Sequence, residues 1–205
     1  MNVMLASHAC GQLPCALNLA VPPTRTLFRG SKTTRSGAFG SVRKQYAEQR
    51  MLGYSPEQMF QIVSDIDQYR HFVPWCTNST VVLRRPDFVR SNITVGFPPL
   101  SESYVANVQL IKPNLVKSVA VEGKLFNELV SIWNFEPGLQ GNLLSATLNF
   151  SVSFEFRSKL HSQLSHLFFE EVVRMMVNAF IKRAASLYGP PSIEHRPGKI
   201  LTYRS

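Results

Sequence analysis

Two pairs of side chains are the first candidates for chemistry, because histidine and cysteine serve as metal ligands and in nucleophile–base pairs. His161 and His166 lie five positions apart, whereas two metal ligands on one helical face prefer a spacing of three or four. His71 and Cys76 are close in the chain, but no third group that would orient the histidine is evident. We therefore interpret both pairs as surface or packing residues and predict neither a metal site nor a catalytic thiol.

Carboxylates and glycines give no stronger signal for catalysis. Asp65 and Asp67 are two positions apart and would diverge on a helix, so capping or solvation explains Asp65 better than general-base chemistry. Gly37 and Gly40 bracket a segment too short for a phosphate loop, and no helix start follows it. The sequence therefore predicts a protein without catalytic residues.

The positive charge of the chain is concentrated at its start. The 205 residues contain 22 Lys/Arg and 13 Asp/Glu, a formal net charge of +9. Six of the basic residues and none of the acidic residues precede residue 45, so the remaining chain has a net charge of only +3. Beyond the leader no basic run exceeds two residues, which argues against nucleic acid as a partner because phosphate binding needs a basic stripe.

The first segment has the composition of an organelle-targeting leader. An acid-free stretch with Arg, Ser and Thr is typical of a mitochondrial or plastid transit peptide, and no base precedes Arg25 as a secretory signal would require. We expect residues 1–40 to be a disordered mitochondrial transit peptide, residues 41–190 the folded domain and residues 191–205 a C-terminal tail. No apolar run reaches the ~18 residues of a membrane span, so any membrane contact is expected to be peripheral.

Local signals predict the elements that would position a site. Ser55 is a good N-cap, Pro56 suits the first helical position and Gln58 completes a capping box, so a short helix should begin here. A second helical segment is expected over 67–72. Period-two alternation then predicts strands over 79–84, 88–95, 103–111, 115–122, 127–136 and 146–156, with a first strand at 42–52.

The segment 158–188 is predicted to be a long helix, because it contains neither Pro nor Gly and is followed by Gly189 and two prolines. Its apolar arc is wider than one packing stripe needs, so it is buried on two sides or faces something other than protein. The last predicted strand is apolar on one face only, which fits a sheet covered on one side. The expected fold is α+β, a curved antiparallel sheet wrapped around the C-terminal helix with a cleft between them.

Several segments then carry a family resemblance, in the same order and at the same spacing as in the family. These segments are 54–60, 69–76, 95–99, 122–126, 132–133 and 154–164. The stretch from about residue 46 to 189 resembles the mitochondrial coenzyme Q-binding proteins of the START (steroidogenic acute regulatory-related lipid transfer) superfamily. Glu122 stands where the family pattern has Asp, a mild departure.

The resemblance implies a helix-grip START-like fold over 41–190 with a hydrophobic tunnel that binds ubiquinone or its polyprenyl intermediates. It also implies a peripheral place on the matrix side of the inner mitochondrial membrane, and a lipid-chaperone role supporting respiratory electron transfer and coenzyme Q biosynthesis. Quinone-biosynthesis or respiratory complexes would be the protein partners, with no cofactor beyond the bound quinone. Because the superfamily includes cyclases and hydrolases, an enzyme acting on a quinone precursor in the same cavity is the alternative.

Such a tunnel needs aromatic and thioether side chains rather than acids and bases. Burial of one isoprene unit is worth about 3–4 kcal/mol, so a polyprenyl tail leaves the bilayer only for an equally apolar sleeve. The residues expected to contact the ligand are Phe72, Val73, Pro74, Trp75, Trp133, Phe150, Phe154, Phe168, Val172, Met175 and Met176.

Two further segments are candidates for membrane or polar contacts. The rigid apolar loop Phe97, Pro98, Pro99 and Leu100 could insert at the headgroup boundary, or it could be a buried connection between strands. Lys124 stands in a predicted turn, where it could meet a lipid phosphate or a quinone oxygen, or simply be solvated.

Overall fold

The computed structural model describes residues 43–97, 100–124, 126–157, 159–194 and 196–204, without the side chains of Phe97, Leu100 and residues 159–170. All of these belong to one compact unit, Phe39–Ser205. The predicted transit peptide, residues 1–40, lies outside the described residues.

The predicted order of elements is confirmed. In chain order they are β1 Lys44–Leu52, α1 Pro56–Ser64, a 3-10 helix Ile66–His71, β2 Cys76–Arg85, β3 Phe88–Phe97, β4 Leu100–Ile111, β5 Leu115–Gly123, β6 Phe126–Pro137, β7 Ala146–Phe156, α2 Lys159–Tyr188 and β8 Lys199–Arg204. The strands form one sheet in the order β2-β3-β4-β5-β6-β7-β1-β8. The sheet is curved and antiparallel and carries the C-terminal helix, so the fold is the expected α+β, START-like one.

The start of α1 shows how local sequence places an element. The Ser55 side chain accepts a hydrogen bond from the Gln58 backbone at 3.3 Å, and the Gln58 side chain accepts one from the Ser55 backbone at 2.9 Å. This is the predicted capping box, and it satisfies two donors that a helix start would otherwise leave open. Met59, Phe60, Ile62 and Val63 are buried, so the helix closes one end of the core.

Strand β7, which has the clearest apolar–polar alternation in the sequence, shows the same alternation in its burial. Ala146, Leu148, Phe150 and Val152 are buried, and the residues between them are half-buried. Helix α2 covers the same face: Val173, Val177, Phe180 and Ala184 are buried at helical spacing. In the half of α2 whose side chains are described, the helix is not buried on two sides, because Met175 and Leu187 are 43% and 51% exposed.

Strand β8 was not predicted, since residues 191–205 were expected to be a tail. The chain leaves α2, passes so close to Gly53 that a Cβ there would lie 2.7 Å from the Pro191 side chain, and then pairs with β1. All six residues of β8 are exposed, so the strand lacks the alternation from which sequence reasoning recognises a sheet.

Candidate ligand-binding cavity

A cavity of about 190 Å³ lies between the concave face of the sheet and α2. Strands β2–β7 form its walls, together with residues of α2, the 3-10 helix and the segment that follows it. An engineered cavity of ~150 Å³ lined by aliphatic and aromatic groups is large enough to bind benzene. The space therefore suits a group the size of one substituted ring.

Most of the predicted ligand residues meet at this cavity. Those on its wall are Val73, Pro74, Trp75, Trp133, Phe154, Val172 and Met176. They come from three separate parts of the chain, the segment before β2, the paired strands β6 and β7, and α2. The side chain of Phe168 lies outside the described part of the structure.

Phe150 is not on the cavity wall but lies beside Trp133, its partner in the register of β6 and β7. Its ring centroid is 4.4 Å from that of Trp133, and Phe180 approaches Trp133 at 4.7 Å from the helix. Trp133 itself is only 4% exposed. The indole is thus held between two rings and presents a fixed surface to the cavity.

Phe72 and Met175 also lie away from the wall and instead line a groove of about 450 Å³ beside α2. Lys182 and Arg183 line the same groove, and the Arg183 guanidinium carbon is 5.6 Å from the centre of the Phe72 ring. The groove is therefore amphipathic, with an aromatic ring under a cation.

Trp75 reaches the wall through an unusual backbone conformation. Its φ is 60°, in the left-handed region, which costs a non-glycine residue about 1–2 kcal/mol. Its carbonyl accepts a hydrogen bond from the Gly96 amide at 2.8 Å, which ties the turn before β2 to the end of β3. This turn places the indole at the cavity.

The wall also contains five polar side chains that sequence reasoning did not select: Tyr69, Cys76, Tyr104, Ser118 and Ser131. Tyr104 could have been found, because it shares its strand face with the buried Ala106, Val108 and Leu110. The two serines are opposite each other in β5 and β6. They give no signal in the sequence because isolated serines in strands are ordinarily solvated.

Two of these polar groups already have protein partners. The Tyr69 hydroxyl donates a hydrogen bond to the Val63 carbonyl, and the Cys76 thiol lies 3.4 Å from the Asn78 carbonyl. Burial raises the pKa of the Tyr69 hydroxyl, and burial likewise raises the pKa of the Cys76 thiol. Both groups are therefore neutral at physiological pH, and the thiol is not activated as a nucleophile.

The sheet topology gathers several chain turns at one end of the cavity. Phe97 pairs with Leu100, Tyr104 with Gly123, and Phe126 with Phe156. Residues 96–97, 100–101, 123–124, 126 and 156–157 therefore share one end of the sheet, which we call the hairpin end. Val95, Phe126 and Phe156 line the cavity near it.

The backbone of Phe97 and Leu100, the two ends of the predicted membrane loop, lies at the hairpin end, as does Lys124. Pro98, Pro99 and the side chains of Phe97 and Leu100 lie outside the described part of the structure. Lys124 is exposed, so the structure places it away from the buried wall. Where residues are described, no helix has the length and apolar character needed to span a membrane.

The sequence of this chain is also similar to those of known proteins. The family model for polyketide cyclase/dehydrase and lipid transport proteins matches residues 52–181. The chain is 48% identical over 186 residues to "Coenzyme Q-binding protein COQ10 homolog B, mitochondrial" from Xenopus laevis, covering 91% of this chain and 74% of the relative. The chain belongs to the mitochondrial coenzyme Q-binding protein family.

Two further similarities support the family and the fold. Against the Drosophila melanogaster protein "Coenzyme Q-binding protein COQ10, mitochondrial", identity is 42%, with 80% of this chain and 69% of the relative covered. The crystal structure of the Zhui aromatase/cyclase from Streptomyces sp. R1128 matches with a TM-score of 0.60 at 9% identity, over 70% of this chain and 94% of that chain. At that identity the match shows the shared fold alone.

Proposed function

We propose that this protein binds ubiquinone or its polyprenyl intermediates in the cavity and acts as a lipid chaperone for respiratory electron transfer and coenzyme Q biosynthesis. The observation that carries the proposal is an apolar, ring-sized cavity of about 190 Å³ in a chain of the coenzyme Q-binding family. The volume suits the quinone ring with the first part of its tail. A long tail extends beyond it, and the hairpin end is the exit we propose.

A binding role, rather than catalysis, fits the chemistry of the wall. Its ionisable side chains in the described part of the chain are Tyr69, Cys76 and Tyr104, and burial raises the pKa of each one. None offers a base near neutral pH. No described cluster of three or more His, Cys, Asp or Glu is placed to hold a metal ion.

We further propose that the protein works in mitochondria, peripherally on the matrix face of the inner membrane. The hairpin end would face the bilayer, with Lys124 near the lipid phosphates and the 97–100 loop at the headgroup boundary. Residues 1–40 would be the transit peptide. Residues 1–45 fused to a fluorescent reporter should carry it to mitochondria, and a cytosolic reporter would contradict this part of the proposal.

The central test is whether filling the cavity removes the lipid. Ser131→Phe puts a ring into the cavity, whereas Gln109→Phe adds the same ring at an exposed position of β4. We expect mass spectrometry of extracted lipids to find quinone with the wild type and with Gln109→Phe, and little with Ser131→Phe. Equal quinone in all three proteins would refute binding in this cavity.

The same preparation tests the enzymatic alternative. The wild-type protein is incubated with a polyprenyl quinone precursor, and the precursor is recovered and identified. We expect it to return unchanged. Conversion that is lost in Ser131→Phe would instead support an enzyme acting in the cavity.

A further inference from the structure

Tyr104 lies opposite a glycine of the neighbouring strand, which leaves room for the tyrosine side chain. It pairs with Gly123 of β5, and a Cβ on Gly123 would lie only 2.8 Å from the Tyr104 Cβ. Gly123 also has φ +144°, a conformation that other residues rarely adopt. The Phe126 ring then packs edge-on against the tyrosine, with centroids 5.6 Å apart. The ring is thus fixed at the cavity wall near the hairpin end.

The hydroxyl of Tyr104 differs from that of the other tyrosine on the wall. Tyr69 donates its hydrogen to the Val63 carbonyl. For Tyr104, no hydrogen bond of the hydroxyl is found among the described residues. Tyr104 is half-buried on the cavity wall, so its hydroxyl is available for an acceptor that enters the cavity.

The state of the hydroxyl decides what kind of partner it can take. Burial raises the pKa of Tyr104, with a smaller contribution from Cys76, so the phenol keeps its proton at physiological pH and acts as a donor. The polar wall neighbours Tyr69 and Cys76 already contact the Val63 and Asn78 carbonyls, and Phe126 beside the ring is apolar. The group that would satisfy this donor is therefore an acceptor on the ligand, and a ring carbonyl is such an acceptor.

We propose that the Tyr104 hydroxyl donates a hydrogen bond to a carbonyl oxygen of the bound quinone ring, and so selects polyprenyl ligands that carry such a carbonyl. This inference rests on the proposed function, because it assumes that the cavity holds a quinone. The apolar wall supplies affinity for any isoprenoid, and Tyr104 supplies the discrimination, because a ligand without an acceptor displaces water from the hydroxyl and leaves this donor unpaired.

The chain offers a control for a test by Tyr→Phe substitution. The Tyr54 hydroxyl donates to the Gly189 carbonyl at 3.0 Å, and Tyr54 is 2% exposed and not part of the cavity wall. Tyr54→Phe should lower stability and leave ligand binding unchanged. Tyr104→Phe should leave stability nearly unchanged, since it breaks no described hydrogen bond, and should weaken quinone binding.

The measurement uses the purified full chain and quenching of its tryptophan fluorescence by a short-tailed ubiquinone, because Trp75 and Trp133 line the cavity. The second probe is an isoprenoid hydrocarbon of similar length, whose Kd is obtained from the recovery of fluorescence as it displaces the quinone. We expect Tyr104→Phe to raise the Kd for the quinone by about five- to tenfold, with the hydrocarbon Kd unchanged. An unchanged quinone Kd, or an equal loss for both probes, would overturn the inference.

A second readout does not depend on small differences in affinity. A hydrogen bond lowers the carbonyl stretching frequency of the bound quinone in the infrared spectrum, and this shift should disappear in Tyr104→Phe. A shift that persists in the variant contradicts the role of Tyr104 although the quinone is bound. Failure of the wild-type protein to bind the quinone at all would instead contradict the proposed function.

Discussion

Two regions of the sheet face that is turned toward α2 differ in the charge of their buried side chains. The cavity wall carries no charged side chain among its described residues. On β1, by contrast, Glu48 is 1% exposed and Tyr46 is also 1% exposed, and Arg50 reaches Asn178 of α2 at 2.9 Å. We call Tyr46, Glu48 and Arg50 the β1 cluster.

The β1 cluster is held together by a hydrogen bond and an ion pair between its members. The Tyr46 hydroxyl donates to the Glu48 carboxylate at 2.7 Å, and Arg50 lies 3.3 Å from the other carboxylate oxygen, an ion-pair distance without hydrogen-bond geometry. Gly198, just before β8, packs against the cluster, since a Cβ there would lie 2.7 Å from Glu48 Oε2. Buried charged side chains thus lie where protein atoms fill the interior, and apolar side chains line the cavity that leaves room for a ligand.

The largest effect should come from breaking the β1 cluster. Glu48→Ala leaves Arg50 buried without its ion-pair partner, and we expect a loss of about 3–5 kcal/mol in the free energy of unfolding, measured by urea denaturation. Quinone content per folded molecule should not change. The control is Glu122→Ala, whose pair with Arg90 is exposed and should contribute about 0–1 kcal/mol. Equal losses in the two variants would contradict the distinction between the regions.

A smaller effect is expected when one hydrogen bond of the β1 cluster is removed. Tyr46→Phe leaves Glu48 with one partner fewer, at a cost of about 1–3 kcal/mol. Burial, and then the hydrogen bond to Glu48, raises the pKa of Tyr46. The raised folded-state pKa gives stability that is fully present below about pH 10, the unfolded value, and is lost as the pH rises further.

The pH dependence of unfolding gives a direct check on Tyr46. In the wild type, stability should decline as the pH rises above about 10, and in Tyr46→Phe this decline should be shallower. It should not vanish, because burial also raises the pKa of Tyr69 and Tyr104. An equally steep decline in both proteins would show that Tyr46 does not contribute.

At the cavity wall, the left-handed backbone of Trp75 allows two substitutions whose effects on stability can be told apart from their effect on ligand binding. Trp75→Ala and Trp75→Gly both remove the indole from the wall, so both should bind quinone more weakly. Only glycine relieves a φ of 60°, so we expect the glycine variant to be the more stable of the two by up to about 1 kcal/mol. Greater stability of the alanine variant in thermal unfolding would argue against strain at this residue.

The two regions also differ in how much of them the sequence could reveal. The cap at Ser55 and the alternation in β7 depend on neighbours in the chain, and both were predicted correctly. The β1 cluster depends on contacts such as Arg50 with Asn178, 128 positions apart, and no local pattern reports such a pairing. Strand β8 was not predicted either, because it pairs with the distant strand β1 and its six exposed residues show no alternation.

For the cavity, residue type predicted which side chains are apolar but not where along the sheet the open space lies. Phe150 and Trp133 are both buried aromatic residues on one sheet face, yet Trp133 is on the wall and Phe150 lies beside it, away from the cavity. The alternation of β4 could have placed Tyr104 on the inner face, but its pairing with a glycine 19 positions later in the neighbouring strand is revealed by the register alone.

The smallest effect concerns the hairpin end and the proposed membrane contact. Lys124 is exposed there, and a lysine near an anionic surface contributes about a fivefold change in membrane partitioning. Lys124→Gln should reduce binding to vesicles containing cardiolipin by about that factor, measured by co-sedimentation at low salt. Lys112→Gln, an exposed lysine at the opposite end of the sheet, should leave binding unchanged. If both substitutions reduce binding equally, general positive charge rather than the hairpin end attracts the protein to the bilayer.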